Sequence, residues 1–557
     1  MSSAKALSPA GGSTTGDGVR SMPGYEAVPW LLHRHGVGVV FSMLGNTNAP
    51  WIAAGVREGL LRLVRTRHEE TAVNAAVGHA RATGALGVCS VTRGPGFANT
   101  VNALTAAVRS HIPILLVVAE SPVTAGWSEQ ELDQEGLCRV LGAGFHHVAD
   151  GEHLPAILDA AALAAVTQHT PQVLSVADRV LDDPVTVDDR PPDRVEPAEP
   201  DPAAVSAAVD ALAAADRPLV LAGQGAVLAG AGKDLERLAE VSGARLATTL
   251  RANRMFSGHP SDLGLCGTWS PPIVRDEIAG CDVVLAVGAS LNPHTTDHRQ
   301  IFAGATVIQC EVDEDAPFRA SSPQLGVVGD AGVTAVRLYE EWERRGLGQR
   351  RRTGEVPGRD RVVASVLDVD VGHDPARGLD VRDVYAAFDR KLPADRIVVN
   401  DSGRAMGAMA TLVDAADARS WLVGRGYGSV GLGLGTAIGA AVAHPSRTVA
   451  LFVGDGGLMM AAQDLDAVRL AGLDLLVVIL NDEQYGAELA SLTQRGLDAD
   501  VVRQSMPDVP TLARAFGGVG YVLRTRAQLE AFELPSGGLT LVDARIDPQV
   551  GGADALG

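Results

Sequence analysis

Short apolar runs alternate with longer segments of helical period along most of this chain. The first set is GVGVVFSML (36–44), ALGVCSVT (85–92) and IPILLVVAE (112–120). A second set is RPLVLAGQG (217–225), CDVVLAVGAS (281–290) and TVIQCEVD (306–313). The third is RIVVNDSG (396–403), TVALFVGDGG (448–457), LLVVILND (475–482) and LTLVDARI (539–546). Runs that are apolar at consecutive positions predict strands buried on both faces, and their alternation with helices is the pattern of parallel sheets. The predicted fold class is α/β, with three doubly wound parallel-sheet domains.

Polar, proline-rich stretches separate the three sets. DDPVTVDDRPPDRVEPAEPDP and EEWERRGLGQRRRTGEVPGRDR each interrupt the alternation. The expected layout is a disordered tail at 1–24, domains at 25–181, 203–341 and 379–550, and linkers at 182–202 and 342–378. A chain of 557 residues exceeds what one hydrophobic core can organise. It shows no short tandem repeat, which leaves no support for a solenoid.

Charge narrows the partners. With 47 basic against 67 acidic residues the formal charge is −20, which repels a phosphate backbone or an anionic membrane surface. Nucleic acid and membrane are therefore not expected partners. The five cysteines, Cys89, Cys138, Cys266, Cys281 and Cys310, form no CxxC pair, so neither zinc nor a disulfide framework is implied and a reducing cytoplasm fits. The first two dozen residues lack the apolar stretch of a secretory signal, and no run approaches the roughly 20 apolar residues that span a bilayer.

The chemistry concentrates in GDGGLMMAAQDLDAVRLAGLDLLVVILND (454–482). Residues 448–453 predict a strand, 461–471 a helix and 475–480 the next strand. A right-handed crossover sets the two strands parallel, so their carboxyl ends face one crevice, where open α/β sheets bind ligands. Asp455 and Asn481 then meet although 26 positions separate them. Two side-chain oxygens and a loop carbonyl, that of Glu483, make half an octahedron, the partial set magnesium takes alongside phosphate oxygens and water. Gly454, Gly456 and Gly457 carry no Cβ and let a phosphate approach the backbone N–H groups. Taken singly, Gly-Asp-Gly reads as a turn and Asn-Asp as a helix cap. At both ends of one strand–helix–strand unit they read as a site.

This arrangement resembles the motif of the thiamine diphosphate-dependent superfamily, where the Asp and Asn hold the magnesium that anchors the cofactor's diphosphate. The first block agrees: RTRHEETAVNAAVGHARATGALGVCSVTRGPGFANTVNAL is similar to the pyrimidine-binding stretch of acetolactate synthases. By that resemblance Glu69 is the catalytic glutamate that bonds the aminopyrimidine nitrogen N1′. Glu70 stands beside it, and the distance to GHAR favours Glu69. GYGSVGLGLGTAIGAAVA resembles the family's GxMGxxxP stretch, which makes Gly428 the carbonyl acceptor for the 4′-amino group. Val430 takes the place of the bulky wedge residue, with Leu432 as a neighbour that completes it. A glycine-rich turn before a buried helix explains the same glycines equally well.

The middle block resembles the central domain of acetolactate synthase-like proteins, some of which hold FAD without using its redox chemistry. GASLNPHTTDHR departs from the synthases' GARFDDR type, which leaves FAD open. The three domains thereby become pyrimidine-binding, central and diphosphate-binding, over residues 24 to 548. The resemblance also implies a homodimer or homotetramer whose active sites lie between subunits.

It further implies a carboligase that decarboxylates pyruvate or a similar 2-oxo acid and adds the acyl unit to a second carbonyl. The alternatives are a decarboxylase releasing an aldehyde and a non-catalytic relative. Decarboxylases of the family carry a histidine where Thr92 stands here, or an early His-His pair. His111, His146 and His147 lie elsewhere and read as structural or surface residues. Asn46, Asn48, Thr92 and Gln134 are the substrate-side candidates. Arg93 replaces a small serine and has two readings: a cation for an acidic substrate group, or a salt bridge away from the site.

Overall fold

The computed structural model describes residues 14–15, 19–120, 129–192, 195–313, 323–404, 406–424 and 426–551. Most of the expected tail lies outside the described residues. Three six-stranded sheets are present, and the strand pairs resolved within them are parallel. The chain packs as two compact units. The first comprises Met1–Val195, Gly424–Pro445 and Met460–Leu475, and the second Glu196–Val423, Ser446–Met459 and Leu476–Gly557. Two segments of the expected third domain therefore pack with the first.

In the first unit the strand order is Arg62–Arg65, Val39–Ser42, Gly87–Val91, Ile114–Ala119, Gln172–Val176, Gly144–Val148. The order reverses between Val39–Ser42 and Gly87–Val91, which places a ligand crevice at the carboxyl ends of those two strands. Helix Glu69–Thr83 begins on the His68 ring, whose Nδ1 accepts the Glu70 N–H at 3.1 Å, and stops at Gly84, which takes the left-handed conformation at φ +77°. Its first turn carries Glu69 and Glu70, the sign that suits a helix N-terminus. Helix Gly433–Ala443 is apolar all round and packs against it.

The expected tail and linker meet in an additional element. Val19–Pro23 pairs antiparallel with Pro184–Asp188. The reason lies in PVTVD, where Val185 and Val187 are buried and Thr186 is exposed, the period-two pattern of a strand with one face on the core.

In the second unit the central sheet runs Asp262–Leu265, Arg245–Thr248, Pro218–Ala222, Val283–Val287, Thr306–Glu311, Leu325–Val328. Leu219 and Leu221 feed the core on one of its faces, and Val220 and Ala222 the core on the other. The remaining sheet runs Trp421–Val423, Ile397–Asn400, Val449–Gly454, Leu475–Asn481, Leu539–Arg545, Val519–Leu523. Its order reverses between Ile397–Asn400 and Val449–Gly454, beside Asp455. The expected linker at 342–378 contains a helix, Arg359–Leu367. The expected single helix at 461–471 is broken: Asp455–Ala461 and Leu465–Ala471 are helices, with a 3-10 turn at Ala462–Asp464 between them. The five cysteines are unpaired and buried. Among the described residues no helix is long and apolar enough to cross a membrane.

Candidate active site

At the carboxyl edge of the last sheet, Gly454 is in register with Leu480 on the adjacent parallel strand, so the next residues, Asp455 and Asn481, end neighbouring strands. Asn481 is oriented by Asp543, whose Oδ1 accepts its Nδ2–H at 2.8 Å. A carboxylate only accepts, so the amide nitrogen is fixed toward Asp543 and the Asn481 oxygen is left for other partners. That oxygen accepts the Glu483 N–H at 3.1 Å. Glu483 holds a left-handed backbone at φ +54°, unusual for a residue other than glycine. Its carbonyl accepts the Gln504 N–H at 2.9 Å, which leaves one lone pair, and its carboxylate pairs with Arg545.

Asp455 is 3% exposed, and its Oδ2 is buried without a hydrogen-bond partner. Burial, reinforced by the Asp482 charge, pushes its carboxyl up to about 7, and burial raises Asp482 to about 6. A buried, unpartnered carboxylate oxygen beside two further acids is a costly arrangement for the protein alone and a suitable one for a divalent cation. The donor set is hard oxygen, which fits magnesium. Gly454 has open space where a Cβ would be, whereas a Cβ on Gly456 would stand 2.9 Å from Gln504 Nε2 and from the Tyr485 ring. Among the described residues no cluster of three or more His, Cys, Asp or Glu side chains is arranged around a metal position.

In the first unit, Glu69, Thr92 and the Gly45–Asn48 loop gather at the carboxyl ends of strands on either side of the reversal. A Cβ on Gly96 would stand 3.4 Å from Glu69 Oε1 and close to the Thr92 methyl, so this glycine lets the Pro95 turn approach the glutamate. Glu69 is half-buried, and its Oε2 accepts the Asn99 Nδ2–H at 3.0 Å. Glu70 accepts from Asn102 Nδ2 at 2.6 Å, and Asn102 in turn accepts the Ser429 hydroxyl at 2.6 Å. The second glutamate thus reaches the turn containing Gly428, which takes φ +85°. Val430 is exposed, whereas Leu432 is buried at the start of helix Gly433–Ala443.

Residues 22–137, 205–338 and 401–543 match in turn the N-terminal TPP binding domain, the central domain and the C-terminal TPP binding domain of thiamine pyrophosphate enzymes. The chain is 29% identical over 555 residues to the acetolactate synthase large subunit of Parasynechococcus marenigrum, covering 95% of this chain and 88% of the relative. It is 28% identical over 527 residues to the acetolactate synthase isozyme 2 large subunit of Escherichia coli, covering 92% of each. It is 30% identical over 512 residues to the probable 2-ketoarginine decarboxylase of Pseudomonas aeruginosa, covering 88% of each. The chain belongs to the thiamine pyrophosphate enzyme family.

Several substrate-side candidates have other duties in this thiamine pyrophosphate enzyme. Arg93 pairs with Asp178 and donates to the Glu120 carbonyl at 2.9 Å. A guanidinium this deeply buried needs its partners, and of the two readings of Arg93 the salt bridge is the one these contacts favour. Asn48, also buried, donates to Ser42 Oγ and the Met43 carbonyl and accepts from Gly45 N at 2.8 Å; it holds its own loop together. Gln134 is buried, donating to the Ala119 carbonyl at 3.3 Å and accepting from Ser175. Thr92 shares a hydrogen bond of 3.1 Å with Thr47, and Asn46 is exposed. His146 meets Gln172 at 2.9 Å and His147 meets Glu120 at 2.9 Å; His111 is exposed in a turn at φ +51°.

Other contributors carry no motif of their own. Asp543 orients Asn481, and Asn99 and Asn102 bond the two glutamates. Asp464 accepts from the backbone of Arg67 and from Thr71, either side of Glu69. The available signal was QDLD, two acids inside an apolar helical stretch. At the reversal of the central sheet, Gly223 packs against Gly288, Arg251 donates to Gln224 Oε1 at 3.1 Å, and burial pushes the Glu311 carboxyl up to about 7.

Proposed function

We infer that the chain is a thiamine diphosphate- and magnesium-dependent carboligase of acetolactate synthase type. It decarboxylates pyruvate or a similar 2-oxo acid and adds the acyl unit to a second carbonyl compound. The observation that carries this reading is the buried, unpartnered Asp455 oxygen at the end of the strand that neighbours the one ending at Asn481. The acetolactate synthase large subunits matched over 92–95% of the chain support the choice of reaction.

Bound thiamine diphosphate supplies a carbon nucleophile for the keto group and an electron sink for the carboxylate's loss. The residues of this chain do the rest. Asp455 and Asn481 would hold magnesium through side-chain oxygens and Glu483 through its carbonyl, while the turn of Gly454, Gly456 and Gly457 would receive the diphosphate. Glu69 would hold a proton at N1′ of the aminopyrimidine, and the Gly428 carbonyl would accept a hydrogen bond from the 4′-amino group. Val430 would pack against the cofactor. Asn46, Asn48, Thr92 and Gln134 would lie on the substrate side.

The same reading divides the chain into the pyrimidine-binding domain 25–181, the central domain 203–341 and the diphosphate-binding domain 379–550, which the three family matches support. It makes the enzyme a cytoplasmic homodimer or homotetramer with active sites between subunits. Buried, unpaired cysteines and the exposed apolar side chains of Tyr427, Val430, Met459 and Tyr485 support that.

The second reading, a decarboxylase releasing an aldehyde, is favoured by the 2-ketoarginine decarboxylase relative. Purified chain with thiamine diphosphate and magnesium, given pyruvate or 2-oxo-5-guanidinopentanoate, with and without a carbonyl acceptor, separates them. The expected products are carbon dioxide and a 2-hydroxy ketone. Aldehyde as the sole organic product selects the second reading, and no carbon dioxide from any donor removes both.

A further inference from the structure

The segment that follows the Gly-Asp-Gly turn returns a carboxylate to the helix that carries Glu69. Asp464, nine positions beyond Asp455 in sequence, ends the 3-10 turn Ala462–Asp464 and has no solvent exposure. Its Oδ1 accepts the Arg67 N–H at 2.7 Å and its Oδ2 the Thr71 hydroxyl at 2.8 Å. Asp466, two residues on, accepts from Arg67 Nε at 2.6 Å. Residues 67 and 71 bracket Glu69 on either side of the helix start.

Ordinary capping does not require Asp464. The first turn already has its side-chain acceptor in His68, which takes the Glu70 N–H. Asp464 binds one residue before that cap and a side chain one turn after it, and so fixes where the turn sits against the rest of the unit. A carboxylate with no exposure persists only where its hydrogen bonds repay its desolvation, and both bonds found here end on this turn.

We propose that Asp464 is a positioning residue for Glu69: it sets where the Glu69 carboxyl stands and exchanges no proton with substrate or cofactor. The proposal rests on the reading of Glu69 as the acid that addresses the aminopyrimidine. Asparagine at 464 keeps an oxygen for the Arg67 N–H and an amide that can donate to Thr71, whereas alanine keeps neither.

The experiment uses the full chain loaded with thiamine diphosphate and magnesium. It measures hydrogen–deuterium exchange at cofactor C2, cofactor affinity and thermal unfolding for Asp464→Ala, Asp464→Asn, Thr71→Val, Glu69→Gln and the double variant Glu69→Gln/Asp464→Ala. Asp464→Ala is expected to slow exchange about 10- to 100-fold, the cost of a misplacement on the order of 1 Å, with cofactor affinity within about threefold. Asp464→Asn restores exchange to within about threefold of wild type, and Thr71→Val slows it several-fold. In the double variant the loss of Asp464 adds nothing to the loss of Glu69, because it acts only through that residue. Additive slowing, or unchanged exchange in folded Asp464→Ala, overturns the proposal. If Asp464→Ala does not fold, unchanged exchange in Thr71→Val overturns it instead. Unchanged exchange in Glu69→Gln sinks the underlying assignment of Glu69, a result distinct from either of these.

Discussion

Gly439 lies against the backbone carbonyl of Ala75, so near that a Cβ at 439 would be driven into the oxygen. The same close approach recurs along the two helices. Gly78 meets the Thr436 carbonyl, and a Cβ on Gly435 would stand 2.6 Å from Asn74 Cβ. Helix Gly433–Ala443 and helix Glu69–Thr83 are thus held together through small residues and main chain, which ties the Gly428 turn and the Glu69 turn to one rigid pair.

Replacing Gly439 by alanine therefore costs stability despite alanine's better helix propensity. The gain of about 1 kcal/mol from propensity is outweighed by overpacking, for a net loss of about 1–2 kcal/mol. Urea unfolding of Gly439→Ala against Gly304→Ala checks this, since Gly304 has open space at its Cβ position and an ordinary backbone. The control is expected to stay within about 0.5 kcal/mol of wild type. Equal effects at both sites would show that the helix contact yields freely.

Asp455→Asn is expected to separate stability from function. The substitution removes a buried carboxylate whose Oδ2 lacks a partner and which stands beside Asp482 and Glu483. The cofactor-free protein should gain about 1–2 kcal/mol. Stabilisation by thiamine diphosphate plus magnesium, large in the wild type through mass action, should be lost. Thermal unfolding with and without the pair reads both effects. A destabilised cofactor-free variant would contradict the account of Asp455 as a buried carboxylate that the protein alone leaves uncompensated.

His79 gives a pH dependence whose sign can be worked out. Burial, assisted by the positive charge of His444, lowers its imidazole from 6.5 to about 4. Between those values the unfolded chain binds the proton that the folded chain refuses. Stability therefore falls as pH drops from about 6.5 to about 4, by up to about 3 kcal/mol, and is unaffected by this group above that window. His79→Leu should flatten the slope in the same interval. Unfolding free energies at pH 7, 6, 5 and 4.5 for both proteins test it, and parallel curves would remove His79 as the cause.

The strands and the Asp455/Asn481 pair were legible because consecutive apolar residues and a strand-end motif are local signals. LLVVILN is buried throughout and ends at Asn481, as its pattern implies. The helix break at Ala462–Asp464 was not legible, and the partner of Asp464 there, the Arg67 N–H, lies nearly four hundred positions earlier. The glycines after Val430 gave a similar difficulty: their number was evident, but only the facing helix shows that Gly435 and Gly439 serve contact with Asn74 and Ala75. Strand Pro184–Asp188 had the period-two pattern and was obscured by surrounding prolines and acids. Side-chain partners were the least legible: Asn48, Gln134 and Arg93 have the chemistry of binding residues, and their hydrogen bonds to main chain carry no local sequence signal.

Arg93 supplies the sharpest separation between a structural and a substrate role. Its guanidinium holds the Glu120 carbonyl at the end of strand Ile114–Ala119 and pairs with Asp178, which follows strand Gln172–Val176. Arg93→Met keeps the stem and deletes the charge, so it should cost about 1–3 kcal/mol, moderated because Asp178 is half exposed and can return to water. The KM for the 2-oxo acid should move less than about threefold, since no contact that binds substrate and transition state alike is lost. Arg93→Lys should recover only part of the stability, because an ammonium cannot serve both acceptors with the fixed fork of a guanidinium. The opposite pattern, intact stability with KM raised tenfold or more, would return Arg93 to the substrate, a choice that steady-state kinetics and unfolding of the two variants decide together.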